Sequence, residues 1–190
     1  MPAQSPATNR DVLVRVAGVC DAAAIAQIYA PYVTGSTFTF EEAPPTPAEF
    51  AGRIAETLRR FPFLVAEAGG EVVGYAYASP RGARASFRWA VDTAIYVAAD
   101  RPRRGVGSAL YAELLPILRR QRFVTAYAVI TVPNPASIAF HERQGFRHVA
   151  TLPSVGFKLG RWLDVGWWAY ALADPPPQSP IEPIPFADLV

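Results

Sequence analysis

Two stretches of this 190-residue chain carry residues whose types and spacing suit chemistry. In the first, the β-branched run Ile95-Tyr96-Val97 stops, and arginines follow at Arg101, Arg103 and Arg104. Gly105-Val106-Gly107-Ser108 then leads straight into a helical pattern. A strand, a glycine loop and a helix in succession aim main-chain N–H groups at a phosphate. The helix start leaves its first N–H groups unpaired, glycine lets the backbone come close, and arginine adds fixed charge. Neither Gly-Lys-Ser/Thr nor Gly-x-Gly-x-x-Gly occurs, so the pattern predicts a pyrophosphate held mainly by main chain rather than a nucleotide P-loop.

In the second stretch, Asn134 opens a short helix just after an apolar run, and Gly145-Phe146 closes it. Asparagine is a good helix cap, and glycine is a natural stop. Ser137 and His141 lie four residues apart and therefore share one helical face.

The elements that must position these residues are legible in the periodicity. Val12–Val16 alternates as a strand, and Asp21 can cap a helix carrying Ile25, Ile28 and Tyr29. Thr46-Pro47-Ala48-Glu49 is a capping box that predicts a helix to about Arg60. Phe63–Ala68 and Glu71–Ser79 read as strands joined by Gly69-Gly70. Phe87–Val97 reads as one long strand, and a helix is expected from Gly105 to Gln121 with a kink at Pro116. Val124–Val132 reads as a central strand buried on both faces. Two further strands are expected near His148–Leu152 and Trp162–Leu172. The order β α α β β β α β α β β predicts a mixed α/β fold, a mixed sheet with helices on both faces. Residues 1–10 read as a loose tail, 11–173 as one domain, and the Pro-rich 174–190 as a tail or surface strap.

Composition narrows the function. The chain is 51% hydrophobic and 18% charged, with a net charge of +2. A folded globule follows, and nothing points to nucleic acid as a partner. No apolar run is long enough for a membrane span, and no signal peptide is visible, so a cytoplasmic setting is expected. Cys20 is the sole cysteine, which excludes an internal disulfide and a cysteine-based zinc site, and it reads as a small buried residue.

Taken together, Arg-Arg-Gly-Val-Gly-Ser-Ala-Leu (103–110), Val-Pro-Asn-Pro-Ala-Ser (132–137), His-Glu-x-x-Gly-Phe (141–146) and Leu-Pro-Ser-Val-Gly-Phe-Lys-Leu-Gly-Arg-Trp-Leu-Asp-Val (152–165) resemble the GNAT N-acetyltransferases. The likeness is to the phosphinothricin and methionine sulfone/sulfoximine branch, over about residues 11–172. It implies the GNAT fold, a largely antiparallel mixed sheet with splayed central strands. It implies acetyl-CoA as cosubstrate, no metal, and a small-molecule primary amine as acceptor. On that resemblance Ile95, Tyr96 and Val97 lie beside the acetyl and pantetheine groups. The main chain of Arg103, Arg104, Gly105, Val106, Gly107 and Ser108 holds the pyrophosphate, and Asn134 and Ser137 contact the cofactor.

Asp92 then falls where the family carries a glutamate base. One methylene shorter, it is expected to act through a water, since alkyl amines are mostly protonated near neutrality. His141 matches the branch's helix histidine, as an acid toward the thiolate or as a cofactor contact. Phe38, Phe40, Arg84, Thr93 and Ala94 are expected to bind the acceptor. Pro102 departs from the family loop, where a long polar side chain is usual. Trp162, Trp167 and Trp168 suit core or subunit contacts, and the branch's habit implies a homodimer. Acetylation of a peptide N-terminus or another amine, and a non-catalytic coenzyme A regulator, are the other readings.

Overall fold

The alternation of strands and helices follows the predicted order. The computed structural model describes residues 12–99 and 105–189. Along it run β1 (Leu13–Val16), α1 (Ala22–Gly35), α2 (Pro47–Leu58), β2 (Phe63–Ala68), β3 (Glu71–Pro80) and β4 (Ala90–Val97). Then come α3 (Val106–Arg120), β5 (Thr125–Val132), α4 (Pro135–Arg143), β6 (Arg147–Lys158) and β7 (Arg161–Ala171). Local chemistry explains several ends. Thr46 and Glu49 form the expected reciprocal cap on α2, with Thr46 N–H donating to Glu49 Oε2 at 2.6 Å. Gly69 and Gly70 both take positive φ, as the tight β2–β3 turn requires.

The strands form one sheet in the order β1-β2-β3-β4-β5-β7-β6. Every neighbouring pair is antiparallel except β4–β5, which is parallel. That parallel ladder is short. It runs from Ala90↔Thr125 to Thr93↔Ala128 and then stops, while β5 stays paired with β7 as far as Val132. Beyond Thr93 the two central strands diverge.

Helices cover both faces. Leu110, Leu114 and Leu118 of α3 pack on Ala76, Val91 and Ala126, with Ile138 and Phe140 of α4 against the same core. Ile25 and Val33 of α1 and Phe50 and Ile54 of α2 pack on Val65 and Tyr75 across the sheet. Each such side chain contributes about 1.5–3 kcal/mol when fully buried. No helix among the described residues is long and apolar enough to cross a membrane.

Several expectations need correction. Residues 85–87 form a 3-10 turn, so the strand expected from Phe87 begins at Ala90. The β5 strand is not buried on both faces: Val129 is 45% exposed, because the divergence of β4 uncovers it. The β6 strand extends to Lys158, well past Leu152, by pairing with the whole of β7 through two register shifts. Asp21 does not cap α1 through its side chain. Its carboxylate instead receives both Arg15 Nη atoms at 2.7 Å and the Gly18 N–H at 2.8 Å. Cys20 is exposed.

The Pro-rich end lies as a strap. Ile184 exchanges hydrogen bonds with Gln121, its N–H to Gln121 C=O at 2.9 Å and its C=O from Gln121 Nε2 at 2.8 Å. Phe186 is buried, and its N–H donates to Arg60 C=O at 3.2 Å. Trp89 Nε1 donates to Ile181 C=O at 2.8 Å, and Glu182 pairs with Arg88 at 2.7 Å.

Candidate active site

The divergence of β4 from β5 opens a cavity of about 350 Å³. Thr93, Ala94, Ile95, Tyr96 and Val97 line one side; Val129, Ile130 and Thr131 line the other. Gly107 of α3 and Asn134, Ser137, Phe140 and His141 of α4 close it from the helical face, and Tyr32 and Phe38 from the opposite one.

Strand geometry says which main-chain groups face this gap. Trp89 C=O accepts from β5, whereas Ala98 N–H donates to Val73 on β3. Alternation along the strand then turns the N–H and C=O groups of Ile95 and Val97 toward the missing ladder. Tyr32 fills part of that vacancy by donating its hydroxyl to Val97 C=O at 2.5 Å. The Tyr96 N–H faces β3, while its ring packs on Tyr29 and Tyr32.

At the mouth, Gly105 takes φ 96, a left-handed conformation that suits glycine, and begins α3. The first helical bond runs from Ala109 N–H to Gly105 C=O at 2.8 Å. The N–H groups of Val106, Gly107 and Ser108 therefore lie outside the helical ladder, a site for an anion. Arg103 and Arg104 lie outside the described residues. The Val106 side chain is buried in the core, and Ser108 Oγ accepts from Gln144 Nε2 at 3.0 Å, so these two residues offer the site their main chain.

On α4, Asn134 Oδ1 caps the helix by accepting from Ser137 N–H at 3.2 Å, which leaves its amide donors to the cavity. His141 is 4% exposed and engaged at both ring nitrogens. Its Nδ1 lies 2.8 Å from Ser137 C=O and its Nε2 lies 3.0 Å from the Tyr111 hydroxyl. The carbonyl fixes the proton on Nδ1, so Nε2 accepts. Burial pushes the His141 pKa down, partly offset by that carbonyl, and the ring stays neutral. The Tyr111 hydroxyl also lies 3.1 Å from Thr93 Oγ1, a contact that ties α3 to β4 under the cavity.

Asp92 stands on the face of β4 that also presents Ala94 and Tyr96. It sits roughly 7 Å along the strand from Ala94. Its carboxylate is 27% exposed and receives Arg81 Nη1 at 3.0 and 3.2 Å on its two oxygens. Burial raises the Asp92 pKa to about 6, with Arg81 opposing the rise. Such a group is ionised at neutral pH yet basic enough to take a proton.

The expected residues are brought together unevenly. Thr93, Ala94, Ile95, Tyr96, Val97, Gly107, Asn134, Ser137, His141 and Phe38 line the cavity; Asp92 does not line it but precedes the lining residue Thr93 on β4. Phe40 does not line it, because its ring lies against Gly156 of β6, where an added Cβ would meet it. Arg84 faces a separate cavity of about 220 Å³, with Arg60, Arg81 and Arg88. Sequence reasoning missed Arg81, Tyr111 and Thr131 as site residues. The β3–β4 hairpin register, Ser79↔Asp92, carried a signal for Arg81. Tyr111 lies one turn beyond Gly107, on the same helical face.

The cavity suits a long polar ligand with an anionic head. Thr131 Oγ1 is buried in its wall without a partner among the described residues, a cost of about 1–3 kcal/mol unless a guest bonds it. An acyl-coenzyme A fits these features: an anion at the α3 start and a narrow amide-bearing arm between the strands.

Residues 14–167 match the acetyltransferase (GNAT) domain family. The chain is 39% identical over 176 residues to a phosphinothricin N-acetyltransferase of Streptomyces viridochromogenes, covering 93% of this chain and 96% of that protein. It is 37% identical over 172 residues to an L-methionine sulfoximine/L-methionine sulfone acetyltransferase of Pseudomonas aeruginosa, covering 88% and 98%. A crystal structure of a phosphinothricin acetyltransferase from Sinorhizobium meliloti in complex with AcCoA superposes with a TM-score of 0.85 at 34% identity, covering 90% and 94% of the two chains.

Proposed function

The chain belongs to the GNAT acetyltransferase family, and from that premise we propose that it moves acetyl from acetyl-CoA to the primary amine of a small amino acid or a close analogue. The observation that carries this reading is the opening between β4 and β5 with an ionisable carboxylate at its edge.

The donor's pyrophosphate takes the main-chain N–H groups of Val106, Gly107 and Ser108. Its pantetheine runs between the strands, past Asn134 and Ser137. Ile95 and Val97 N–H groups stabilise the oxyanion that forms when the amine nitrogen attacks the thioester carbon. The C–N bond forms, the C–S bond breaks, and the amine proton passes to Asp92 through a water. The thiolate leaves and takes a proton from solvent. His141, neutral and bonded to Tyr111, serves as a wall of the thioester pocket rather than as a charged acid. Holding both reactants supplies much of the rate.

On the acceptor side, Ala94 and Phe38 border the amine, and the loop that carries Arg84 supplies the cation for an acceptor carboxylate. A panel of free amino acids, methionine sulfone and an alanyl peptide, assayed by thiol release, tests this. Amino acids should turn over; turnover of the peptide alone, or acetyl-CoA binding with no turnover, would replace the reading. Asp92→Asn should lower kcat about 10²–10⁴-fold with calorimetric acetyl-CoA affinity retained.

A homodimer through β6 belongs to the same proposal. The β6 strand is an edge, and its hairpin with β7 presents Val155, Phe157, Leu159 and Trp162, the last 64% exposed. A second copy of this chain covers that apolar face. Light scattering should report a dimer that Trp162→Glu splits; a wild-type monomer at micromolar concentration overturns it.

A further inference from the structure

Arg81 lies outside the donor cavity, held by two aromatic rings and a carboxylate. Its guanidinium carbon stands 4.0 Å from the Trp167 ring and 4.8 Å from the Tyr127 ring. The two rings come from β7 and β5, so the cation is seated on the sheet face beyond the end of the β3–β4 hairpin. One of its nitrogens, Nη1, reaches both oxygens of Asp92. Its side chain is 17% exposed, and that of Asp92 is 27% exposed.

We propose that Arg81, seated on Trp167 and Tyr127, is a positioning residue for acetyl transfer that keeps the Asp92 carboxylate charged and fixed beside the acceptor amine. The inference rests on Asp92 being the base.

Three physical points support it. A half-buried carboxylate without a cation would take up a proton rather than stay charged. From the elements packed around it, Asp92 is faced by Ser79 of β3, Tyr127 of β5 and Arg81 of the loop, with Trp167 of β7 behind the guanidinium. Among the described residues Arg81 is the one charged group acting on it. Second, a single nitrogen serves both oxygens, so other lone pairs of the carboxylate stay open to a proton from a bound water. A two-nitrogen fork would satisfy more of them and blunt the base. Third, ring faces hold a planar guanidinium in one orientation, which an ammonium does not reproduce. Arg81 also lines the cavity of Arg84.

The test is the pH profile of kcat/KM for the amine, measured for wild type, Arg81→Met, Arg81→Lys, Trp167→Leu and Asp92→Asn. Activity falls as pH drops through the Asp92 pKa, because the protonated acid cannot accept. Removing the cation disfavours the charged form, so the acid limb of Arg81→Met should move up by about one to three pH units. Its activity should recover toward alkaline pH, with KM for acetyl-CoA unchanged. Arg81→Lys should restore part of the shift. Trp167→Leu keeps the charge and loosens its seat, so its limb should move up by less. A limb that stays in place in all three variants, or an equal loss at every pH, overturns the inference. The parent reading has its own control: an acid limb that persists in Asp92→Asn removes Asp92 as base. If that limb vanishes while Arg81→Met keeps the wild-type one, Asp92 stands and Arg81 falls.

Discussion

Gly107 has two separate reasons to lack a side chain. Its N–H lies outside the helical ladder at the cavity mouth, and a Cβ there would meet the Phe140 ring at 2.9 and 3.0 Å. Gly107→Val should therefore weaken acetyl-CoA binding in calorimetry and also cost about 1–3 kcal/mol in urea unfolding through overpacking. The first effect was legible in the Gly-x-Gly pattern; the second was not, because Phe140 comes from a different helix. His141 divides the same way. Its shared face with Ser137 follows from four-residue spacing, but the bond to Tyr111 is tertiary. Since both ring nitrogens are occupied and burial lowers its pKa, His141→Asn should leave the acid limb of the pH profile where Asp92 puts it. A limb that moves with His141 would give the histidine a titrating role. Phe40 was misplaced because nothing local announces its contact with Gly156, far along the chain.

Among the elements, those with strong periodicity or end signals fell where expected: α2 by its cap, β2 and β3 by their glycine turn, α4 by Asn134 and Gly145. The misplaced ends were decided by partners. The β6 strand outran its own pattern because β7 offered a ladder, and β5 lost burial where β4 turned away. The start of α1 shows tertiary override most directly. Asp21 was free to cap the helix, yet Arg15 of β1, also bonded to Glu67 of β2, takes its carboxylate. That cation, with help from the Gly18 N–H and against burial, holds the Asp21 carboxyl below its ordinary value. Stability from the pair is thus present above the ordinary carboxylate pKa and lost as pH falls through the lowered one. Asp21→Asn should cost about 2 kcal/mol at pH 7, and the difference from wild type should shrink below about pH 4 in denaturation experiments.

For the whole molecule, the strap shows how a segment of unpromising composition joins the core. Proline richness gave no hint that Phe186 would be buried or that Gln121 would take Ile184 in a two-way exchange. Phe186→Ala should lower stability by about 3–5 kcal/mol in urea titration. The mixed sheet and its helices were legible because eleven elements in a fixed order leave few ways to bury their apolar faces. The positions of Arg81, Arg84 and Phe40 were not, because loops answer to neighbours more than to their own residues. One consequence of the short β4–β5 ladder concerns the protein without its donor. Within the sheet, four ladder pairs join β1 through β4 to the block of β5, β7 and β6, while α3 packs across both. A thioester lodged in that seam acts as mortar between two halves. At a hundred times its Kd the donor should add about 2.7 kcal/mol. Deuterium uptake should slow most at the Ile95 and Val97 amides, so starvation for acetyl donor would leave a locally softer seam.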